Sequence, residues 1–112
     1  MVSKALIAAS TRPFILFILK RGENYGYKII QHVKHISGGK LEWSDGMLYP
    51  VLHRLEKEGL IRSRWKLSEG GRMRKYYAIT EKGNREMEME KRQWLDVHEA
   101  LTALWTKAVA AK

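Results

Sequence analysis

Apolar positions along this chain recur first at helical spacing, then alternate, then return to a helical stripe. Leu6, Ile7, Phe14, Phe17 and Ile18 predict a helix over Lys4 to Arg21, with Gly22 as its stop. Pro13 interrupts that segment, and Ser10 or Thr11 offers a fresh cap just before it. One kinked helix and two adjoining helices are both open. Asn24 as N-cap and a buried face of Ile29, Ile30, Val33 and Ile36 predict a second helix, Tyr25 to Ile36, ended by Ser37-Gly38-Gly39. Leu41-Glu42-Trp43 is expected to add a short strand. A third helix begins at the cap Ser44 and turns Leu48, Leu52 and Leu55 inward. Its outward candidates are Ser44, Gly46, Met47, Tyr49, Pro50, His53 and Arg54. Pro50 lacks the N–H that a helix interior uses, so a late first turn or a local distortion is expected there.

The period then changes to two. In Leu60 to Leu67, Ile61, Trp65 and Leu67 alternate with Arg62, Arg64 and Lys66. After Ser68-Glu69-Gly70-Gly71, the stretch Arg72 to Ile79 sets Arg72, Arg74 and Tyr76 on one face. Met73, Lys75, Tyr77 and Ile79 share the other. Thr80 then caps a last helix running to about Lys107, in which Met87, Trp94, His98, Leu101, Trp105 and Ala108 form a heptad-like stripe. The fold expected is mainly α with a small β-hairpin wing (α+β). It is a winged helix-turn-helix over residues 1–83 and a C-terminal dimerisation helix over residues 84–112, with the first helix contributing to the dimer. In such a fold the third helix enters the DNA major groove and the hairpin meets the backbone or minor groove.

Charge strengthens that expectation. The chain of 112 residues carries a net charge of +9. Residues 1–83 hold 16 Lys+Arg against 7 Asp+Glu, whereas residues 84–112 hold 5 of each. The whole excess therefore lies in the expected DNA module, and Arg62, Arg64, Lys66, Arg72, Arg74 and Lys75 concentrate it at the hairpin. Such a patch binds phosphate and releases counterions. Arg72 and Arg74 flank the glycine tip and suit phosphate or the minor groove. Tyr49, His53 and Arg54 lie about a turn apart, able to reach phosphate or base edges. The competing reading packs Tyr49 on the first two helices and pairs Arg54 with Glu58.

Three segments carry a family resemblance. Met47-Leu48-Tyr49-Pro50-Val51-Leu52-His53-Arg54-Leu55-Glu56-Lys57-Glu58-Gly59-Leu60-Ile61 resembles the LYPxLxRLExxGLI signature of PadR-type transcriptional regulators. Tyr25-Gly26-Tyr27-Lys28-Ile29 is similar to their YGYEI segment. Gly70-Gly71-Arg72-Met73-Arg74-Lys75-Tyr76-Tyr77 resembles their glycine-rich wing and RKYY strand, and Thr80-Glu81-Lys82-Gly83 their TxxG helix start. The motifs stand in the family's order, which is far more specific than one short match. The resemblance implies a dimeric, usually repressing regulator of a palindromic double-stranded DNA operator, with an effector site. Tyr25, Ser44, Gly46, Met47, Tyr49, Pro50, His53, Arg54, Arg72, Arg74 and Lys75 are the DNA-binding candidates.

A short-tailed, multidrug-regulator-like subgroup looks similar in the last helix. It carries a tryptophan where this chain has Trp94, and its two copies sandwich flat aromatic ligands in a pore between subunits. The matching first-helix positions are Leu6, Ala9 and Pro13, and His98 stands where that subgroup has a carboxylate. The resemblance thus implies an effector pocket of Leu6, Ala9, Pro13, Trp94 and His98 for a small, planar aromatic molecule. Trp94, Leu101 and Trp105 are the dimerisation candidates, since a long lone helix has no partner in its own chain for two tryptophans.

Enzyme chemistry finds no footing. With no cysteine there are no disulfides or thiolate metal sites. His32 and His35 lie one turn apart without a third ligand and are expected to be unliganded, so neither metal nor cofactor is required. The apolar run Pro13 to Leu19 is too short to cross a bilayer, and the N-terminus lacks a signal-peptide layout, so a cytoplasmic protein with no membrane partner is expected. The rival to a DNA-binding regulator is a protein-interaction or ligand-binding module that keeps the fold and offers its basic face to an acidic partner.

Overall fold

The computed structural model describes residues 2–110, with side chains as far as Lys107. The first segment is one helix, α1 (Lys4–Lys20), capped by Ser3, whose Oγ accepts from the Leu6 N–H at 3.3 Å. Neither Ser10 nor Thr11 starts a second helix. Both hydroxyls donate back to the Ile7 carbonyl, at 3.0 and 2.7 Å, so the helix runs on into Pro13 with its neighbouring polar groups bonded.

Asn24–Tyr25 form a two-residue strand, β1, in place of the expected helix cap. Helix α2 (Gly26–Ile36) follows, with Tyr25 at the N-cap position. Its Ile29 and Val33 are buried and Ile30 packs against the core, whereas Ile36 is exposed. The strand expected at Leu41 to Trp43 does not form. Trp43 is instead buried as irregular chain, edge-on to Phe14 at 5.8 Å.

Helix α3 (Asp45–Lys57) starts at Ser44, which accepts from the Met47 N–H at 3.3 Å. It passes through Pro50 without a break. The carbonyl left without a helical donor is that of Gly46, and Gly46 and Pro50 are both exposed, so the missing bond is not buried. Leu48, Leu52 and Leu55 are buried as the spacing predicts.

Strands β2 (Ile61–Leu67) and β3 (Met73–Ile79) form the hairpin, and β1 adds to the other edge of β3, giving an antiparallel sheet of order β1-β3-β2. The register pairs Leu67 with Met73, Trp65 with Lys75 and Ile61 with Ile79. Gly71 takes φ +83° in the connecting turn, which the Ser68 N–H closes on the Arg72 carbonyl at 2.8 Å.

Helix α4 (Glu81–Ala110) leaves the body after two turns. Thr80 Oγ1 accepts from the Gly83 N–H at 3.0 Å and donates to the Gly59 carbonyl at 2.7 Å, tying the start of α4 to the end of α3. Gly83 fits there because it has no side chain: a Cβ would overlap the Leu60 carbonyl oxygen and come within 2.7 Å of Ile79 Cγ1. Met87, expected on the dimer stripe, is buried in its own chain's core. From Lys91 to Lys107 every side chain but Thr102 is exposed. That projection stretches the molecule to 60 Å in its long direction, against 29 and 21 Å in the others.

Candidate nucleic-acid interface

Helix α3 and the hairpin lie side by side. The groove between them, about 320 Å³, is lined by Tyr27, Tyr49 and His53 from the helical side and by Trp65, Met73, Lys75 and Tyr77 from the strands. Alternation explains the strand contribution, since Ile61, Trp65 and Leu67 share a face with Met73, Lys75 and Tyr77. The inner end of that face is core: Ile61 and Tyr77 are buried. Burial pushes the Tyr77 phenol up to about 12, with Tyr49 and Glu56 adding to the shift. The outer end is not covered, contrary to the half-buried strand the pattern suggests. Trp65, Leu67 and Met73 are 65%, 64% and 58% exposed.

The opposite face of the hairpin is cationic, and much of its charge is already engaged. Glu23, from the loop before β1, accepts from Arg64 at 2.8 and 3.2 Å and from the Lys66 ammonium. The Arg64 bond, then the Lys66 bond, hold the Glu23 carboxyl at about 2, below the usual carboxylate range. Lys66 also sits over the Tyr76 ring at 4.5 Å, and Arg74 over the Tyr25 ring at 4.4 Å. Tyr25 is paired with Tyr76 across the sheet and meets it edge-on at 5.3 Å. Arg62 and Arg72 remain exposed, and Lys75 is half-buried. The evenly basic wing of the sequence is thus divided: Arg64 and Lys66 are clasped along β2, while Arg62 nearer the base and Arg72 at the tip stay exposed.

Most α3 candidates stand where the spacing places them. Ser44, Gly46, Tyr49, Pro50, His53 and Arg54 are exposed and Met47 is half-buried. Arg54 does not pair with Glu58, whose carboxylate is held by Arg12 at 3.2 Å. Tyr49 does pack inward in part: its phenol end closes on Gly26 at the start of α2, where a Cβ would stand 2.8 Å from Tyr49 Cζ. Met47 also borders a separate cavity of about 810 Å³ between the start of α1 and the loop around Gly38 and Gly39. No periodicity in the chain points to that cavity.

Two charged residues that organise this region have no signal in the sequence. Glu23 is one. The other is Arg12, whose guanidinium reaches Glu58 at the end of α3 and Glu90 and Glu86 on α4, at 3.2, 3.1 and 3.7 Å. Burial pulls its pKa down, and the bonds to Glu58 and Glu90 outweigh that and leave it raised. Both residues find partners 41 to 78 positions away, beyond any local pattern.

Of the effector-pocket candidates, Leu6, Ala9, Trp94 and His98 are exposed, while Pro13 is buried within its own chain. Trp94, Leu101 and Trp105 are all exposed on the projecting part of α4. No described helix is long and apolar enough to cross a membrane.

Comparison with known proteins agrees with this geometry. Residues 15–89 match the model of the transcriptional regulator PadR-like family. A PadR-like transcriptional regulator from Bacillus cereus is 33% identical, with a TM-score of 0.80 over 90% of this chain and 96% of that one. A transcriptional regulator from Clostridium thermocellum is 26% identical, with a TM-score of 0.81 over 91% and 96% of the two chains. An uncharacterised protein from Lysinibacillus sphaericus is 30% identical over 90% of this chain and 93% of its own length. The transcriptional regulator YqjI of Escherichia coli is 34% identical over 82% of this chain, which spans only 42% of that relative's length. With a winged helix, an exposed third helix and a cationic hairpin beside it, this chain belongs to the PadR-like family of DNA-binding transcriptional regulators, which are not enzymes.

Proposed function

We propose that the protein is a homodimeric repressor that an aromatic effector releases from a palindromic operator. The observation that carries the dimer is the bare outer part of α4, where Trp94, Leu95, Val97, Leu101, Leu104 and Trp105 are all exposed beyond the turns that pack on α1. A second copy of α4, together with the exposed first turns of α1 around Leu6, is the simplest cover for that surface. Residues 84–112 then serve as the dimerisation unit and residues 1–83 as the DNA-binding unit. The first two turns of α4, through Met87 and Glu90, fasten one to the other.

In this reading Met47, Tyr49, Pro50, His53 and Arg54 of α3 face the major groove. The N-terminus of α3, at Ser44 and Gly46, approaches a phosphate. Arg72, Arg74 and Lys75 of the wing, with Tyr25 supporting Arg74, position the protein on the backbone. The effector lies between the two copies of Trp94, beside Leu6, Ala9 and His98. It releases DNA only by binding the unproductive spacing of the two α3 helices more tightly than the productive one.

A planar aromatic dye titrated into the dimer should quench tryptophan fluorescence and weaken binding to a palindromic duplex, with no shift on scrambled DNA. Trp94→Ala should remove the quenching and leave duplex affinity unchanged. Unaltered quenching in that variant would overturn the Trp94 site. Sedimentation of the wild type as a monomer at micromolar concentration would overturn the dimer.

A further inference from the structure

The wing ends in a feature that phosphate contacts do not use. Leu67 is the last residue of β2 and Met73 the first of β3, directly opposite one another, and Trp65 lies two residues behind Leu67 on the same face. All three are more than half exposed, although the same face is buried at Ile61 and Tyr77. An apolar strip therefore runs from the core out along the ribbon to its tip. Its sides are cationic, with Arg72 exposed next to Met73 and Lys75 opposite Trp65. It opens into the groove shared with Tyr49 and His53 of α3. Whatever covers the strip must also accept that positive rim and lie against α3.

We propose that Leu67 and Met73 enter the DNA minor groove beside the major groove occupied by α3 and wedge a base step there, with Trp65 packed on the adjoining sugars. This rests on the DNA-binding reading of the site and adds a second source of specificity to it. Paired strands lie about 4.8 Å apart axis to axis, so with its side chains the tip is wider than the roughly 6 Å minor groove of B-form DNA and enters only where a base step opens. Leucine and methionine are among the side chains that unstack base steps from the minor groove. The cost of unstacking is least at flexible pyrimidine–purine steps, so the wing selects sequence through deformability, without reading base edges. The rim supports this division of labour. Arg72 anchors the ribbon to the backbone, while the apolar pair supplies the step preference.

The test compares wild type with Leu67→Ser/Met73→Ser, which alters two exposed side chains and no charge. Duplexes are first selected from a random pool by the wild-type protein. If the wild type enriches no sequence, the DNA-binding reading itself fails. Given enriched duplexes, those of the wild type should carry a TA or CA step at a fixed offset outside each half-site, and the double variant should lose that step while keeping the half-site. By end-to-end energy transfer the wild type should bend the selected duplex, and the variant should bend it less. The variant should bind about ten-fold more weakly, the equivalent of roughly one mismatched base pair per site. Its salt dependence should not change, because no phosphate contact is lost. A folded variant, checked by its thermal transition, that keeps both the step preference and the bend overturns the wedge. Weaker binding with an unchanged bend and unchanged step preference overturns it too.

Discussion

Glu23→Gln offers a direct measurement of how the wing distributes its charge. In the wild type Glu23 accepts from Arg64 and Lys66, so two of the hairpin's cations are neutralised along β2. Glutamine keeps the shape and removes the charge. Arg64 and Lys66, with side chains 66% and 39% exposed, are then free to seek phosphate. Each new phosphate contact steepens the dependence of log K on log salt by about 0.9 on duplex DNA. One contact per subunit is the least change expected and two the most, a steepening of about 0.9 to 1.8 per subunit. Between 0.05 and 0.2 M salt the larger value corresponds to about a twelve-fold relative gain per subunit at the low-salt end. The gain carries no sequence information, so scrambled duplex should benefit as much as operator and the specificity ratio should fall. Fluorescence anisotropy on both duplexes across that salt range reads all three quantities. A folded variant with the wild-type slope would refute the idea that Glu23 withholds these cations. The same clasp has an acid signature. Folding lowers the Glu23 carboxyl from its ordinary 4.5 to about 2. Its stabilising contribution is therefore complete above pH 4.5 and lost as pH falls through 2, and Glu23→Gln should flatten the pH dependence of unfolding in that window.

Two further substitutions test how the body holds α4. Gly83→Ala drives a Cβ into the Leu60 carbonyl, a backbone atom that cannot swing aside, and should destabilise by about 3 kcal/mol, lowering the thermal midpoint by more than about 10 °C. A midpoint within a degree or two of wild type would mean the close approach is not rigid. Arg12→Met keeps the aliphatic stem but leaves Glu58, Glu86 and Glu90 facing one another without a cation. A loss of about 1–2 kcal/mol in urea unfolding is expected, and an unchanged midpoint would show these contacts to be solvent-screened surface pairs.

The helices and the hairpin were legible because burial imposes a period. Leu48, Leu52 and Leu55 declare one face of α3, and Ile61 to Leu67 declare a strand, before any partner is known. Elements without a period were misread. β1 is two residues long and exists because Asn24 and Tyr25 find Tyr77 and Tyr76 on β3, fifty-odd positions later. Leu41 to Trp43 looks like a strand yet has no neighbour to pair with, and its apolar residues fill the core as irregular chain. Pro13 left two readings because its effect depends on where Ser10 and Thr11 send their hydroxyls, and composition does not say.

The interface follows the same division, with one consequence for function. Periodicity says which residues face outward; it does not say which of them are already taken. Tyr49 faces outward by spacing and still rests on Gly26, so a residue expected only to read DNA also sets how α3 lies on α2. Arg54 could pair with Glu58 by spacing, yet Glu58 is held by Arg12 and Arg54 stays exposed. Arg12 in turn joins the end of α3 to the first turns of α4, the helix proposed to sense the partner subunit and the effector. A shift of α4 that breaks the Glu86 and Glu90 contacts leaves Arg12 to Glu58 alone, and a shift that tightens them draws Arg12 away from α3. One guanidinium serves all three carboxylates, so through Arg12 the end of α3 and the root of α4 share a single set of contacts.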